Sequence, residues 1–187
     1  MSLITVRSVP GLLRWYLDNR FHLIKIEWYD SSPSEELHNE ALDYEAADDW
    51  LKRGGNIGAA CGPQSNGLIA FVIDARPHYS IKNDLAFYRS FGTLVNFSRY
   101  GFQVIYRTDD RERAEMFFSN FYDLKADADS VRFSNEYVVL PPSKVDGKFY
   151  SSLDEGLTPI KQIGSDKYSL EIPTIKVRQK VRQLSDS

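Results

Sequence analysis

The sequence predicts an α/β (α+β) chain built around a ferredoxin-type sheet, and three observations carry that reading. Gly67 to Asp74 is a fully apolar strand segment, as expected for a strand buried on both faces. Strand-like and amphipathic segments then follow one another in the order β-α-β-β-α-β, the ferredoxin-like split unit. Hydrophobic residues at 42% and aromatics at 13% supply a sizeable core for 187 residues, which excludes a wholly disordered chain.

Each element has a local reason. Gly11 to Phe21 reads as a helix, with Leu12, Leu13, Trp15, Tyr16 and Leu17 crowded toward one side and Pro10 just before it. His22 to Trp28 alternates polar and apolar residues, a strand pattern. Ser31-Ser32-Pro33-Ser34 is a loop opening an acidic helical stretch, with Glu35 and Glu36 suited to the positive end of the helix. That stretch runs in one or two pieces to Trp50-Leu51 and stops at Gly54-Gly55. After the Gly67 to Asp74 strand, a helix is expected over Ile81 to Phe91, ended by Gly92. Thr93 to Phe97 and Phe102 to Arg107 read as strands joined by a short turn. Asp109-Asp110 opens a helix to about Tyr122 that buries Ala114, Phe117, Phe118 and Phe121. Ser130 to Phe133 and Tyr137 to Leu140 complete the unit, ended by Pro141-Pro142. A glycine-containing hairpin, Lys144 to Leu153, and a basic C-terminal helix follow.

Charge is nearly balanced: 23 Lys and Arg against 26 Asp and Glu give a net charge of −3. Any binding to a polyanion must therefore come from local patches. Asp30 to Asp49 carries acids and no Lys or Arg, whereas basic residues prevail from Ile160 onward. These stretches suit a protein partner and a polyanion respectively, or are solvated faces. Cys61 stands alone, which rules out an intramolecular disulfide and fits a reducing compartment. The longest apolar run, Leu68 to Ile73, is too short for a bilayer, and the N-terminus lacks a signal-peptide pattern. The expectation is a soluble cytoplasmic protein with no membrane partner. His22, His38 and His78 have no metal-like spacing, and no Gly-Lys-Ser/Thr follows the glycines to make a P-loop.

Four segments occur in a telling order. They are Leu13 to Phe21 with the acidic helix ending at Trp50-Leu51; Asn56-Ile57-Gly58 through Pro63 with the strand ending in Asp74; Arg99-Tyr100-Gly101-Phe102-Gln103-Val104-Ile105-Tyr106; and Tyr137-Val138-Val139-Leu140-Pro141-Pro142-Ser143 with Gly147 and Tyr150. Over roughly residues 10 to 155 the chain resembles the primase-polymerase (bifunctional DNA primase/polymerase) domain of the archaeo-eukaryotic primase superfamily. The resemblance implies an RRM-like sheet (residues 63–155) packed beside an N-terminal α/β module (1–62), with 156–187 as an extension. It also implies three motifs on the sheet: an acidic pair and a later acid that bind two divalent metals, and a small-x-His motif for the incoming nucleotide's phosphates. Two-metal phosphoryl transfer needs several carboxylates to hold and orient the ions, and carboxylate oxygens suit Mg or Mn.

The motifs are degenerate here. The acidic pair falls at Val72 and Asp74 or, shifted by two, at Asp74 and Arg76, so either register retains one carboxylate. In the second register Arg76 would place a fixed cation where a metal should sit. Small-x-His becomes Gly101-Phe102-Gln103, and glutamine can hydrogen-bond a phosphate or base but carries no imidazolium charge. For the later acid Ser130 is best spaced, Asp129 is nearest, and Asp127 is a further candidate.

The sequence therefore predicts a primase-polymerase-like protein of a mobile element, virus or archaeal replication system that has lost catalysis. It would serve DNA replication as a nucleic-acid-binding or accessory subunit, with no cofactor. Asp74 and Asp129 are the catalytic remnants, and Asp74 is the one candidate metal ligand. Arg76, Arg99, Tyr100, Gln103, Arg107 and Lys144 are the nucleotide- or nucleic-acid-binding candidates, since cations interleaved with aromatics suit phosphate contacts and base stacking. The expected partners are single-stranded DNA or primer-template, and a helicase or primase subunit. The alternative is an active Mg- or Mn-dependent DNA primase/polymerase using Asp74 with Asp127 or Asp129. A protein-interaction module with no nucleic-acid role is a third reading.

Overall fold

The computed structural model describes residues 8–27, 40–74, 85–89, 91–98, 101–121, 130–132, 136–153 and 158–163. It is a mixed α+β fold with two main antiparallel sheets and a small hairpin. Helix α1 (Val9–Asp18) buries Leu12, Leu13 and Tyr16. Strand β1 (Leu23–Ile26) follows, then α2 (Tyr44–Lys52), whose first turn is capped by the Asp43 carboxylate accepting from the Ala46 N–H at 2.8 Å. Strand β2 (Asn56–Ala60) is buried along its whole length. In the described part of the acidic stretch the helix begins only at Tyr44, where the cap lies; residues 28–39 and the C-terminal helix expected in 164–187 lie outside the described residues.

The larger sheet is assembled from β3 (Leu68–Asp74), α3 (Leu85–Arg89), β4 (Leu94–Phe97), β5 (Gly101–Arg107), α4 (Arg111–Phe121) and β6 (Ser130–Arg132), in the β-α-β-β-α-β order read from the sequence. Its spatial order is β10-β4-β5-β3-β6, which puts β3 and β5 at the centre and explains the apolar composition of β3. Strand β10 (Ser151–Ser152) extends the sheet beside β4. On one face Tyr88 of α3 meets Phe97 and Phe102 edge-on, with ring centroids 4.9 Å and 5.1 Å away.

Strand β7 (Tyr137–Val139) does not join this sheet. It pairs with β2, giving a smaller sheet of order β1-β2-β7, so the two sheets are not successive pieces of chain. A side chain at Gly58, in the middle of β2, would come within 2.7 Å of the Val138 carbonyl oxygen, so glycine is what lets β7 lie this close. Ser143 fastens the next turn: its Oγ accepts from the Ile57 N–H at 2.8 Å and donates to the Ile57 carbonyl at 2.9 Å. Strands β8 (Lys144–Val145) and β9 (Lys148–Phe149) then form the small hairpin.

One apolar cluster joins the two sheets. Leu12, Leu13 and Tyr16 of α1, with Leu23, Ile57 and Ala59, pack together with Leu68, Ala70, Leu94 and Ile105 of the larger sheet. The N-terminal elements therefore cover the sheet face opposite to Tyr88, and that face carries the positions of interest. Among the described residues no helix is long and apolar enough to cross a membrane.

Candidate functional site

Antiparallel pairing places residues directly opposite one another on a common face. Across the larger sheet one lateral row reads Ser152, Asn96, Gln103, Val72 and Ser130, each the register partner of the next. Gln103 is the position read from sequence as the histidine's, Val72 the first acid's in one of the two registers, and Ser130 the best spaced of the candidates for the later acid beside Asp129 and Asp127. Val72, Gln103 and Ser130 come from three different strands, and the fold makes them neighbours. Asp74 lies two residues further along β3, in register with Gly101.

The row is not open to solvent along its length. Asn96 is fully buried and Gln103 is 4% exposed, so Gln103 is not a solvent-facing strand residue. Ser152 Oγ donates to Asn96 Oδ1 at 2.8 Å. The Tyr16 hydroxyl donates to the Pro141 carbonyl at 3.0 Å. Burial pushes the Tyr16 phenol far above its ordinary value, with a hydrogen bond to Ser152 acting in the opposite direction. Asn96 Nδ2 and Gln103 Oε1 are buried without hydrogen-bond partners. A donor and an acceptor thus stand unmatched on adjacent strands.

The row does not fit a two-metal centre. Val72 offers no ligand, Gln103 offers an amide, and Asp74 is the sole carboxylate position in β3. Among the described residues no cluster of three His, Cys, Asp or Glu side chains could hold a metal ion. Asp127 and Asp129 lie outside the described residues, as do Arg76, Arg99 and Tyr100.

Arg107 is placed differently from what a nucleic-acid contact requires. It is 8% exposed, and its guanidinium donates to the backbone carbonyls of Ser65, Asn66 (2.9 Å) and Asn19, with Phe21 5.8 Å below. Desolvation, with Arg20 nearby, lowers its pKa. Its main chain also bonds the 158–163 segment, donating to Lys161 O at 2.9 Å and accepting from Ile163 N at 2.8 Å. Arg107 is a junction inside the protein, tied by burial and carbonyl pairing that one sequence position does not reveal. Three other cations on the described surface have carboxylate neighbours: Arg111 pairs with Glu115 at 2.7 Å, Arg113 with Asp110 at 3.5 Å and Arg132 with Glu136 at 3.6 Å.

Lys144 is exposed on β8, and its Nζ lies 5.2 Å from the Phe149 ring centroid. Sequence reasoning missed Asn96, Ser152 and Phe149. The signal for Asn96 was a lone amide inside the apolar strand Leu94-Val95-Asn96-Phe97; for Phe149 it was an aromatic beside Lys148 in a two-residue turn hairpin.

No protein-family model matches the chain, and no curated protein matches it.

Proposed function

We propose that this chain is a primase-polymerase-like protein of a mobile element, virus or archaeal replication system that has lost nucleotidyl transfer. It acts in DNA replication as a nucleic-acid-binding or accessory subunit. The observation that carries the reading is the register of Val72, Gln103 and Ser130, which makes neighbours of the histidine position, the first-acid position in one of the two registers, and the best-spaced candidate for the later acid. The β-α-β-β-α-β connection with β6-β3-β5-β4 as spatial order supports an RRM-like sheet, and α1, β1, α2 and β2 fit the expected N-terminal module. With valine, glutamine and serine in those places, two metal ions have too few carboxylates to be held for phosphoryl transfer. Its partners on this reading are single-stranded DNA or primer-template, and a replication protein such as a helicase or primase subunit.

The test is primer synthesis and extension on a single-stranded template with Mg or Mn, beside salt-dependent binding of the same template. Binding without product supports the reading. Product that disappears in Asp74→Ala overturns it and assigns an active enzyme in which Asp74 works with Asp127 or Asp129. Neither binding nor product leaves a protein-interaction module.

A further inference from the structure

The β8–β9 hairpin presents an aromatic ring and two cations on a fixed frame. Lys144 pairs with Phe149 and Val145 with Lys148, around a turn in which Asp146 and Gly147 have φ of 49° and 78°, the left-handed values of the tight turns that suit hairpin twist. Val145 is buried against Ile24, Ile26, Ala60 and Val139. Strand alternation then sends the neighbouring Lys144–Phe149 pair outward. Phe149 is 66% exposed, the most exposed large hydrophobic residue among those described, and Lys148 beside it is exposed as well.

The frame is held at its base. The Lys144 N–H donates to Asn56 Oδ1 at 2.7 Å, the Tyr150 N–H donates to Ser143 O at 2.8 Å, and Ser143 is itself tied to Ile57 on both sides. A ring held out in this way has paid most of its ordering cost before any ligand arrives.

A single exposed apolar side chain needs no explanation in itself. The combination is what points to a ligand. A ring offers a face for stacking, and the Lys144 ammonium beside it offers a contact to an anion of a backbone. Single-stranded nucleic acid presents both in alternation, since every base has a π-face and every linkage a phosphate. A membrane would be met first by the turn, and there the residue is Asp146, a carboxylate. A protein interface would need a contiguous apolar patch, whereas Phe149 is the one exposed large apolar side chain of this hairpin.

We propose that the β8–β9 hairpin is a stacking platform for single-stranded nucleic acid, Phe149 taking a base face and Lys144, its register partner on the same face, an adjoining phosphate. This rests on the reading of the chain as a nucleic-acid-binding protein, and it names the contact.

The experiment is fluorescence anisotropy with a short oligo-dT and an abasic oligomer of equal length, on the full chain and on Phe149→Leu, Phe149→Tyr and Lys144→Ala. Phe149→Leu should weaken oligo-dT binding about tenfold, as loss of one stacked base does, and leave the abasic oligomer unaffected. Phe149→Tyr keeps a ring and should keep the affinity. Lys144→Ala should weaken both ligands and flatten the dependence of affinity on salt. If the wild-type chain binds oligo-dT and Phe149→Leu binds it equally well, the platform is elsewhere, while nucleic-acid binding stands. If the wild-type chain binds neither oligomer, both readings fall. Binding to phosphatidylserine vesicles that Phe149→Leu abolishes, with oligo-dT binding untouched, overturns the proposal in favour of a membrane surface.

Discussion

Asn96 and Gln103 stand directly opposite each other across β4 and β5, both buried, with Nδ2 of the first and Oε1 of the second unmatched. A buried acceptor without a partner costs about 1–3 kcal/mol. Removing it should therefore stabilise the fold. Methionine matches glutamine in length and carries no strong polar atom, so Gln103→Met is expected to raise unfolding stability by about 1 kcal/mol in urea denaturation. A loss of similar size would mean that a bound water completes the amide.

Which parts of this arrangement were legible beforehand follows from how local their causes are. Strand β3 was readable because an apolar segment without alternation has few other uses, and the order of elements around it held from Gly67 to Arg132. The helix ending near Trp50-Leu51 was readable as well, although the Asp43 cap at its start went unread. The partner of β7 was not readable: Tyr137 to Val139 looks like any strand, and its place beside β2 depends on Gly58, about eighty residues earlier in the chain. The surroundings of Arg107 were unreadable for the same reason. Nothing beside it in sequence indicates that Asn19, Ser65 and Asn66 turn their carbonyls toward it. The burial of Gln103 likewise depends on pairing with remote strands, Asn96 of β4 on one side and Val72 of β3 on the other.

Arg107 should be intolerant of its usual replacement. The guanidinium reaches carbonyls in separate loops with a planar fork of donors, and an ammonium on a flexible stem cannot reproduce that fork. Each hydrogen bond to a charged group contributes about 1.5–3 kcal/mol. Arg107→Lys is thus expected to lose about 2–3 kcal/mol of stability, read as a lower urea midpoint. Oligonucleotide affinity per folded molecule should not change. A selective loss of affinity with stability intact would return Arg107 to the interface.

Cys61 gives a pH prediction. Burial, with the Glu136 carboxylate adding to it and Arg132 opposing, pushes its thiol up to about 12. A raised pKa in the folded state means that the unfolded chain loses the proton first. The contribution to stability is complete below the ordinary thiol value and is lost as pH rises from there toward 12. The urea midpoint should fall over that alkaline window, and Cys61→Ala should fall less steeply. Tyr16, Tyr106 and Tyr150, whose phenols burial also raises, add to the slope. At neutral pH the native thiol should resist a disulfide reagent that labels it at once in urea; rapid labelling of folded protein would contradict its burial.

The row also makes a prediction about metal ions. A ligand that binds only the folded state at a hundredfold excess over its dissociation constant adds about 2.7 kcal/mol of stability. With valine, glutamine and serine in line, Mn should leave the thermal midpoint of the wild-type chain where it is. Val72 and Ser130 are immediate register partners, and Asp74 is two residues from Val72 on the same strand. Val72→Asp with Ser130→Asp therefore concentrates three carboxylate positions at one end of the row. Their mutual repulsion should lower the midpoint in chelator, and Mn should restore it by shielding them. A rise with Mn in the wild-type chain that Asp74→Ala removes would instead establish a metal site at Asp74, and the active-enzyme alternative would then have to be preferred.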